Sequence, residues 1–134
     1  MATSPGNAVG QESTIKKCPS TPNCVSSVDE RDAHQAAPFL VAAGNTKAWS
    51  MIRATVAGLD RTRIVKESEN YLHAECRSRL FGFIDDLELE LNPSTGVVNI
   101  RSASRVGYSD LGVNRRRVEH LRELLLNSKI IHSR

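Results

Sequence analysis

The fold is decided by residues 71–104, which read YLHAECRSRLFGFIDDLELELNPSTGVVNIRSAS. Apolar and polar side chains alternate in three runs of this stretch: 71–78, 83–91 and 97–104. Alternation places successive side chains on opposite faces of a strand, so each run predicts a strand with one apolar and one charged face. A bend containing Gly82 separates the first two runs, and the turn sequence at 92–96 separates the last two. We therefore expect consecutive, neighbouring antiparallel strands.

The segments around these strands predict one more short strand and two helices. The short strand is expected at 64–67. Asn45 or Thr46 can cap a first helix, whose inner face carries four apolar residues at near-helical spacing: Trp49, Ile52, Val56 and Leu59. A last helix presents Val118, Leu121, Leu124 and Leu125 on its inner face. The prediction is an α+β fold, a single-domain antiparallel sheet of about four strands with two helices packed on one face.

Composition limits the class of protein. The chain has 134 residues, of which 40% are apolar, 25% charged and only 4% aromatic, with a formal net charge of +3. This is the balance of one soluble globular domain, and the scarcity of aromatic residues and the small charge surplus argue against a nucleic-acid partner. No run is long enough to predict a membrane span. We expect a flexible polar tail at 1–17 and one domain at 18–134, with an irregular Cys- and Pro-containing lead-in at 18–44.

Cys18 and Cys24 flank a turn-forming segment with two prolines, Pro19 and Pro22. Such a turn could bring the thiols within disulfide range; two free thiols or, less naturally at this spacing, a shared metal are the alternatives. Cys76 is expected in the core. The N-terminal residues lack the apolar segment of a secretory signal, so none is predicted in the chain as given.

The charged sheet face has two interpretations. Its charged residues are Glu75, Arg77, Asp86, Glu88, Glu90 and Arg101. One interpretation is a solvated face crossed by ion pairs between strands, and the other is a set of paired carboxylates for acid–base chemistry or a cation. Asp85 differs, because alternation places it on the inward face with Phe83 and Leu87. A buried carboxylate needs a partner, and we expect Arg105 to be that partner.

Residues 101–117 form the most concentrated polar signal, joining the last strand to the last helix through two glycines. Serines such as Ser104 and Ser109, together with Asp110 and Asn114, can cap backbone amides there. An anion could also bind the loop and the helix N-terminus, reinforced by Arg105 and Arg115; alternatively the loop simply hydrogen-bonds to itself. We further expect Arg115 to pair with Glu119 at i,i+4.

Four segments resemble motifs of one family: CPSTPNCVSS at 18–27, YLHAE at 71–75, FIDDLE at 83–88 and RSASRVGYSDLGVNR at 101–115. Together, and in this order, they are similar to the domain of unknown function 1499 family, from about Cys18 to the last helix. The resemblance implies no established reaction. It implies an extracytoplasmic or plastid-lumen location if the chain is processed, and otherwise a cytoplasmic one.

Two functional hypotheses follow. The first is a non-enzymatic binding or accessory domain that contacts a partner protein or a small anionic ligand through the 102–115 loop and the charged sheet face. The alternative is a small hydrolase- or isomerase-type enzyme with a pocket around Asp85, Asp86, Glu88 and Arg105, which would require Asp85, Arg105 and Asp110 to converge. The sequence leaves open whether the protein is an enzyme, and its oligomeric state. No cofactor, metal or nucleic acid is predicted. The candidate residues are Asp85, Asp86, Glu88, Arg101, Ser104, Arg105, Ser109, Asp110, Asn114 and Arg115.

Overall fold

A six-stranded antiparallel sheet and two helices make up the protein in a computed structural model that describes residues 13–79 and 81–133. The elements follow one another along the chain as β1 (Cys24–Ser26), β2 (Phe39–Leu40), α1 (Thr46–Ala57), β3 (Thr62–Ser68), β4 (Tyr71–Arg77), β5 (Ile84–Asn92), β6 (Val97–Ser104) and α2 (Val113–Asn127). The expected α+β class is therefore confirmed. Within the described residues, no helix is long and apolar enough to cross a membrane.

The strands β3 to β6 form a meander, as their short turns predict. The sheet order is β1-β6-β5-β4-β3, and β2 also pairs with β6, beyond the end of β1. The two strands beyond the expected four lie in the lead-in. They are three and two residues long. Strands this short carry no alternation that a sequence can reveal, and they form because β6 offers an edge for pairing.

The inward face of the sheet and both helices form one apolar core. Leu72, Leu87, Leu89 and Ile100 of the sheet are fully buried, as are Ile52 and Val56 of α1 and Leu121 and Leu125 of α2. The expectation that both helices pack on one face is confirmed. Cys76 is buried in this core, where burial raises the pKa of its thiol.

The chain before β1 lies against the sheet. Of the segment expected to be a flexible tail, residues 1–12 lie outside the described residues, whereas 13–17 make specific contacts. The Ser13 and Thr14 hydroxyls donate to the two carboxylate oxygens of Glu90 at 2.7 and 2.9 Å, and Ile15 is buried. Cys18 and Cys24 form a disulfide with their Cα atoms 5.7 Å apart.

Candidate functional site

Asp85 is buried on the inward face, as alternation predicts, but its partner is not the expected one. Its Oδ2 lies 2.9 Å from Nη1 of Arg117, on α2. Arg105 follows β6 by one residue and points to the opposite, outer face. The expected pair of Asp85 and Arg105 is therefore wrong, because the sheet lies between the two side chains.

A buried polar network surrounds this ion pair and ties the 105–112 loop to the sheet. Asn114 is fully buried at its centre. Its amide oxygen accepts from the Ser102 hydroxyl at 2.6 Å and from Arg117 at 2.9 Å. Its amide nitrogen donates to Ser104 Oγ, to Asp110 Oδ2 and to the Asn23 carbonyl. We call the buried clasp these seven residues: Asn23, Asp85, Ser102, Ser104, Asp110, Asn114 and Arg117.

Asp110 caps α2 with its own carboxylate. Its two oxygens accept from the backbone N–H groups of Gly112 at 2.8 Å and Asn114 at 3.0 Å. Burial opposes the ionisation of Asp110, but the hydrogen bonds from Asn114 and Gly112 outweigh it and lower its pKa. Ser109 Oγ accepts from the Leu111 N–H at 3.3 Å. The backbone N–H groups of residues 111–114 therefore already have acceptors within the loop, which favours the interpretation that the loop hydrogen-bonds to itself.

The outer face carries a second cluster, centred on Asp86. Arg105 donates to both oxygens of Asp86 at 2.8 Å and to Glu75 Oε2 at 2.8 Å. His73 Nε2 is hydrogen-bonded to Asp86 Oδ1 at 2.6 Å. The Arg105 guanidinium holds the pKa values of Asp86 and Glu75 below their ordinary range. Both carboxyl groups therefore stay ionised near neutral pH, which does not suit a general acid.

The neighbouring part of this face involves Glu88. The Tyr71 hydroxyl donates to Glu88 Oε2 at 2.5 Å, and Arg101 Nη1 lies 3.8 Å from Glu88 Oε1. Burial, and then the hydrogen bond to Glu88, raise the pKa of Tyr71. The outer cluster is thus Tyr71, His73, Glu75, Asp86, Glu88, Arg101 and Arg105, in which carboxylates are matched by arginines, as in the ion-pair interpretation of this face. Within the described part of the chain, no group of three His, Cys, Asp or Glu side chains is arranged to hold a metal.

Arg115 lies apart from both clusters. It donates to the carbonyls of Gln35 and Ala33 at 2.9 and 3.2 Å. Glu119, expected to pair with Arg115, instead binds Arg122 at 2.8 Å. The expected i,i+4 pair is wrong because the lead-in packs beside α2 and offers Arg115 backbone acceptors.

The ten candidate residues therefore do not form one site. Asp85, Ser104, Asp110 and Asn114 belong to the buried clasp, whereas Asp86, Glu88, Arg101 and Arg105 belong to the outer cluster. Asp85, Arg105 and Asp110 do not converge, as the enzyme alternative would require. The sequence did not identify Asn23, Ser102 and Arg117 as members of the clasp, because their roles depend on contacts between distant segments.

One surface feature was missed altogether. Large apolar side chains protrude from the loops at one end of the sheet: Phe81 (69% exposed), Phe83 (52%), Val106 (55%), Tyr108 (70%) and Leu111 (84%). We call this set the apolar end. It holds three of the six aromatic residues of the chain. Phe83 was expected to face inward, but β5 begins only at Ile84, after a bend at Gly82 with φ of 69°.

The two loops of the apolar end lie side by side. The Arg105 N–H donates to the Ile84 carbonyl at 3.2 Å, which sets Phe83 and Val106 at the ends of paired strands. The rings of Phe81 and Phe83 stack with centroids 5.4 Å apart. The side-chain amide of Asn23, which belongs to the clasp, donates to the Gly107 carbonyl at 2.7 Å and attaches the 105–112 loop, the longer of the two, to the start of β1. The sequence signal for the apolar end was the presence of large apolar residues next to glycines in two loops.

A family model described as "Protein of unknown function (DUF1499)" matches residues 14–125, most of the chain, and confirms the resemblance carried by the four motifs. Neither a curated protein nor a solved structure matches the chain.

Proposed function

The chain belongs to the DUF1499 family, and we propose that it is a non-enzymatic binding domain that docks on a partner protein through its apolar end. The observation that carries the proposal is the exposure of five large apolar side chains on two adjacent loops. Exposed apolar clusters cost solubility, and in folded proteins they mark interaction surfaces more often than single exposed residues do.

The buried clasp supports this proposal because it holds the longer loop in one conformation. Asn114 and Asp110 fix the helical end of the loop, and Asn23 fixes its middle at Gly107. A loop that is already ordered loses little conformational entropy on binding. Aromatic side chains presented on such a loop are the usual anchors of protein interfaces.

The other hypotheses have less support. A small anion at the loop would have to displace Asp110 from the helix amides and Arg105 from Asp86. An enzyme built on Asp85, Asp86, Glu88 and Arg105 would need groups that the sheet separates. The Cys18–Cys24 disulfide supports placing the domain in an oxidising, extracytoplasmic compartment, where such bonds persist.

Site-specific photocrosslinking tests the proposal. A benzophenone amino acid replaces Phe83 in one variant, and Val65, which is 40% exposed on β3, in the control variant. Both are produced in the native host and irradiated in intact cells. We expect a discrete adduct with a second protein at position 83 and none at position 65.

The position-83 adduct should also disappear when Tyr108 and Leu111 are both replaced by serine, since these side chains are 70% and 84% exposed and contribute little to the core. Equal labelling at positions 65 and 83 would contradict the proposal. So would an adduct whose mass corresponds to two copies of this chain.

A further inference from the structure

A groove beside the apolar end is lined by arginines that have no carboxylate partner within the described part of the chain. It lies between the turn after α1, the end of β4 and the first turns of α2, and its volume is about 390 Å³. Arg61, Arg77 and Arg116 line it, together with apolar side chains such as Leu59, Val113 and Leu124. We call Arg61, Arg77 and Arg116 with these apolar walls the basic groove.

Among residues 13–79 and 81–133, each of the three arginines donates to a backbone carbonyl and to no side chain. Arg61 donates to the Arg77 carbonyl at 3.2 Å, Arg77 to Gly82 at 3.3 Å and Arg116 to Leu111 at 2.9 Å. Within residues 13–79 and 81–133, none of the three forms a salt bridge. Arg117, deeper in the groove, is neutralised by Asp85.

Few carboxylates line the groove. Asp60 is the acidic residue among the described groove residues, against the three guanidinium groups of Arg61, Arg77 and Arg116. Arg61 also holds a φ of 52°, a left-handed conformation that costs a side chain about 1 kcal/mol where glycine would pay nothing. The groove therefore concentrates positive charge, and the backbone of one of its arginines, Arg61, adopts a strained conformation.

Two backbone carbonyls in the loops of the apolar end accept hydrogen bonds from arginines of the groove. The Gly82 carbonyl that accepts from Arg77 lies between Phe81 and Phe83, and the Leu111 carbonyl that accepts from Arg116 belongs to the most exposed apolar residue of the set. Any partner that covers the apolar end therefore also meets the arginines. Complementary charge is needed there, since covering arginines without counter-charges would be costly.

We infer that the partner presents an acidic polypeptide segment, with carboxylates interspersed with apolar side chains, which lies in the basic groove. This inference rests on the proposed function and names the chemistry of the partner. The carboxylates pair with Arg61, Arg77 and Arg116, while the apolar side chains contact Leu59, Val113 and the apolar end. Arginine suits this role because its planar group can keep a carbonyl contact and still bind a carboxylate.

Fluorescence anisotropy with a defined probe tests the inference. The probe is a short fluorescein-labelled peptide of glutamate, leucine and glycine, and its counterpart carries lysine in place of glutamate. We expect the acidic peptide alone to bind, with an affinity that falls as salt rises. Arg77→Gln and Arg116→Gln should each weaken binding by up to about fivefold, and the double variant by more.

Arg115→Gln is the matched control. Arg115 lies on the same helix as Arg116, and within the described residues it too donates to backbone carbonyls. Its replacement by glutamine removes the same charge, but Arg115 contacts the lead-in rather than the groove. Its affinity for the acidic peptide should equal that of the wild type. Thermal unfolding of all variants checks that each is folded.

The inference would be overturned by equal affinity for both peptides, by an equal loss of affinity in the Arg115 variant, or by association with vesicles of phosphatidylcholine and phosphatidylglycerol without binding of the peptide. Thermal stabilisation by inorganic phosphate without peptide binding would overturn it as well. The photocrosslink at position 83 separates the two proposals. If its yield in the Arg77→Gln/Arg116→Gln variant equals that in the otherwise unsubstituted protein, the docking surface stands and the acidic nature of the partner is wrong.

Discussion

Asp85 and Asp86 are sequence neighbours with opposite environments. Asp85 is 5% exposed and pairs with Arg117 inside the clasp, whereas Asp86 binds Arg105 and His73 on the outer face. The difference follows from the two-residue period of a strand, which sends consecutive side chains to opposite faces. The two carboxylates therefore have different roles. Asp85 attaches α2 to the sheet, and Asp86 is the centre of the ion pairs on the outer face.

Removal of Arg117 should cost much more stability than removal of Arg105. Arg117→Ala leaves Asp85 buried without a counter-charge, and we expect a loss of about 3 kcal/mol in the free energy of unfolding. Arg105→Ala, the control, breaks contacts of a side chain that is 42% exposed and should lower the melting temperature only slightly. Chemical denaturation of both variants measures the difference. A larger loss for Arg105→Ala would contradict the assignment of Asp85 to Arg117.

The outer cluster should make stability depend on acid pH. The pKa values of Asp86 and Glu75 are lower in the folded state than in the unfolded chain, mainly because Arg105 donates to both. In the window between the two states' pKa values the unfolded chain binds more protons, so stability rises with pH and is lost as pH falls through the folded-state values. Melting temperatures between about pH 5 and 2 should fall less steeply in Arg105→Gln than in the wild type. Parallel curves for the two proteins would show that Arg105 does not set these pKa values.

The elements are held in place by devices at their ends. Asn45 caps α1 by accepting from the Ala48 N–H at 3.1 Å, and Asp110 caps α2. The β5–β6 turn packs against the segment after β2, where the Val41 N–H donates to the Gly96 carbonyl at 2.8 Å. This contact attaches the lead-in to the sheet at a point where there is no room for a side chain.

Gly96→Ala should therefore be strongly destabilising. Gly96 has a φ of 78°, and a Cβ there would lie 2.1 Å from the Val41 carbonyl oxygen. We expect a loss of roughly 3 kcal/mol, from left-handed strain and the displacement of Val41 together. Gly44→Ala is a matched control, since Gly44 has the same φ of 78° and no neighbour within 4 Å of such a Cβ, so it should show the strain alone, about 1 kcal/mol. Equal losses in urea denaturation would mean that the clash is relieved without cost.

At the scale of the whole molecule, polar and apolar surfaces are distributed unevenly. Each carboxylate of the outer cluster forms an ion pair with an arginine. The end formed by the two loops instead carries exposed apolar side chains, and beside it lie the arginines of the basic groove, which have no carboxylate partner among the described residues. The lead-in is also held together by contacts within itself. Besides the disulfide, Asp29 accepts from the Cys18 N–H at 3.0 Å and binds Arg31, whose hydrogen bond lowers the pKa of Asp29.

Reduction of the Cys18–Cys24 disulfide should leave the protein folded. The two cysteines are separated by six positions, so the bond restricts a small loop of the unfolded chain and contributes about 2 kcal/mol. Asp29 and Arg31 keep their contacts with Cys18 after reduction. We expect a lower melting temperature with a single cooperative transition in reductant, measured by circular dichroism. Loss of the cooperative transition would show that the disulfide is required for the fold.

Most of the fold could be predicted from the sequence, but little of the site could. The strands of the meander follow from local alternation, and α1 and α2 follow from apolar residues at helical spacing, so the α+β class was accessible. The short β1 and β2 were not, since their pairing is dictated by the edge of β6. The candidate residues were real participants in polar contacts, yet the sequence could not divide them between the buried clasp and the outer cluster.

What the sequence by itself determined is which side chains share a face, because the periods of strands and helices are local properties of the backbone. It determined that Asp85 is inward, that Asp86 is outward and that residues 101–117 are rich in caps. Only the tertiary structure decided that Arg117 is the partner of Asp85, that Phe83 is exposed and that Arg61, Arg77 and Arg116 share a groove. These facts depend on how α2 docks on the sheet, which brings together groups that are distant along the chain and that no local pattern relates.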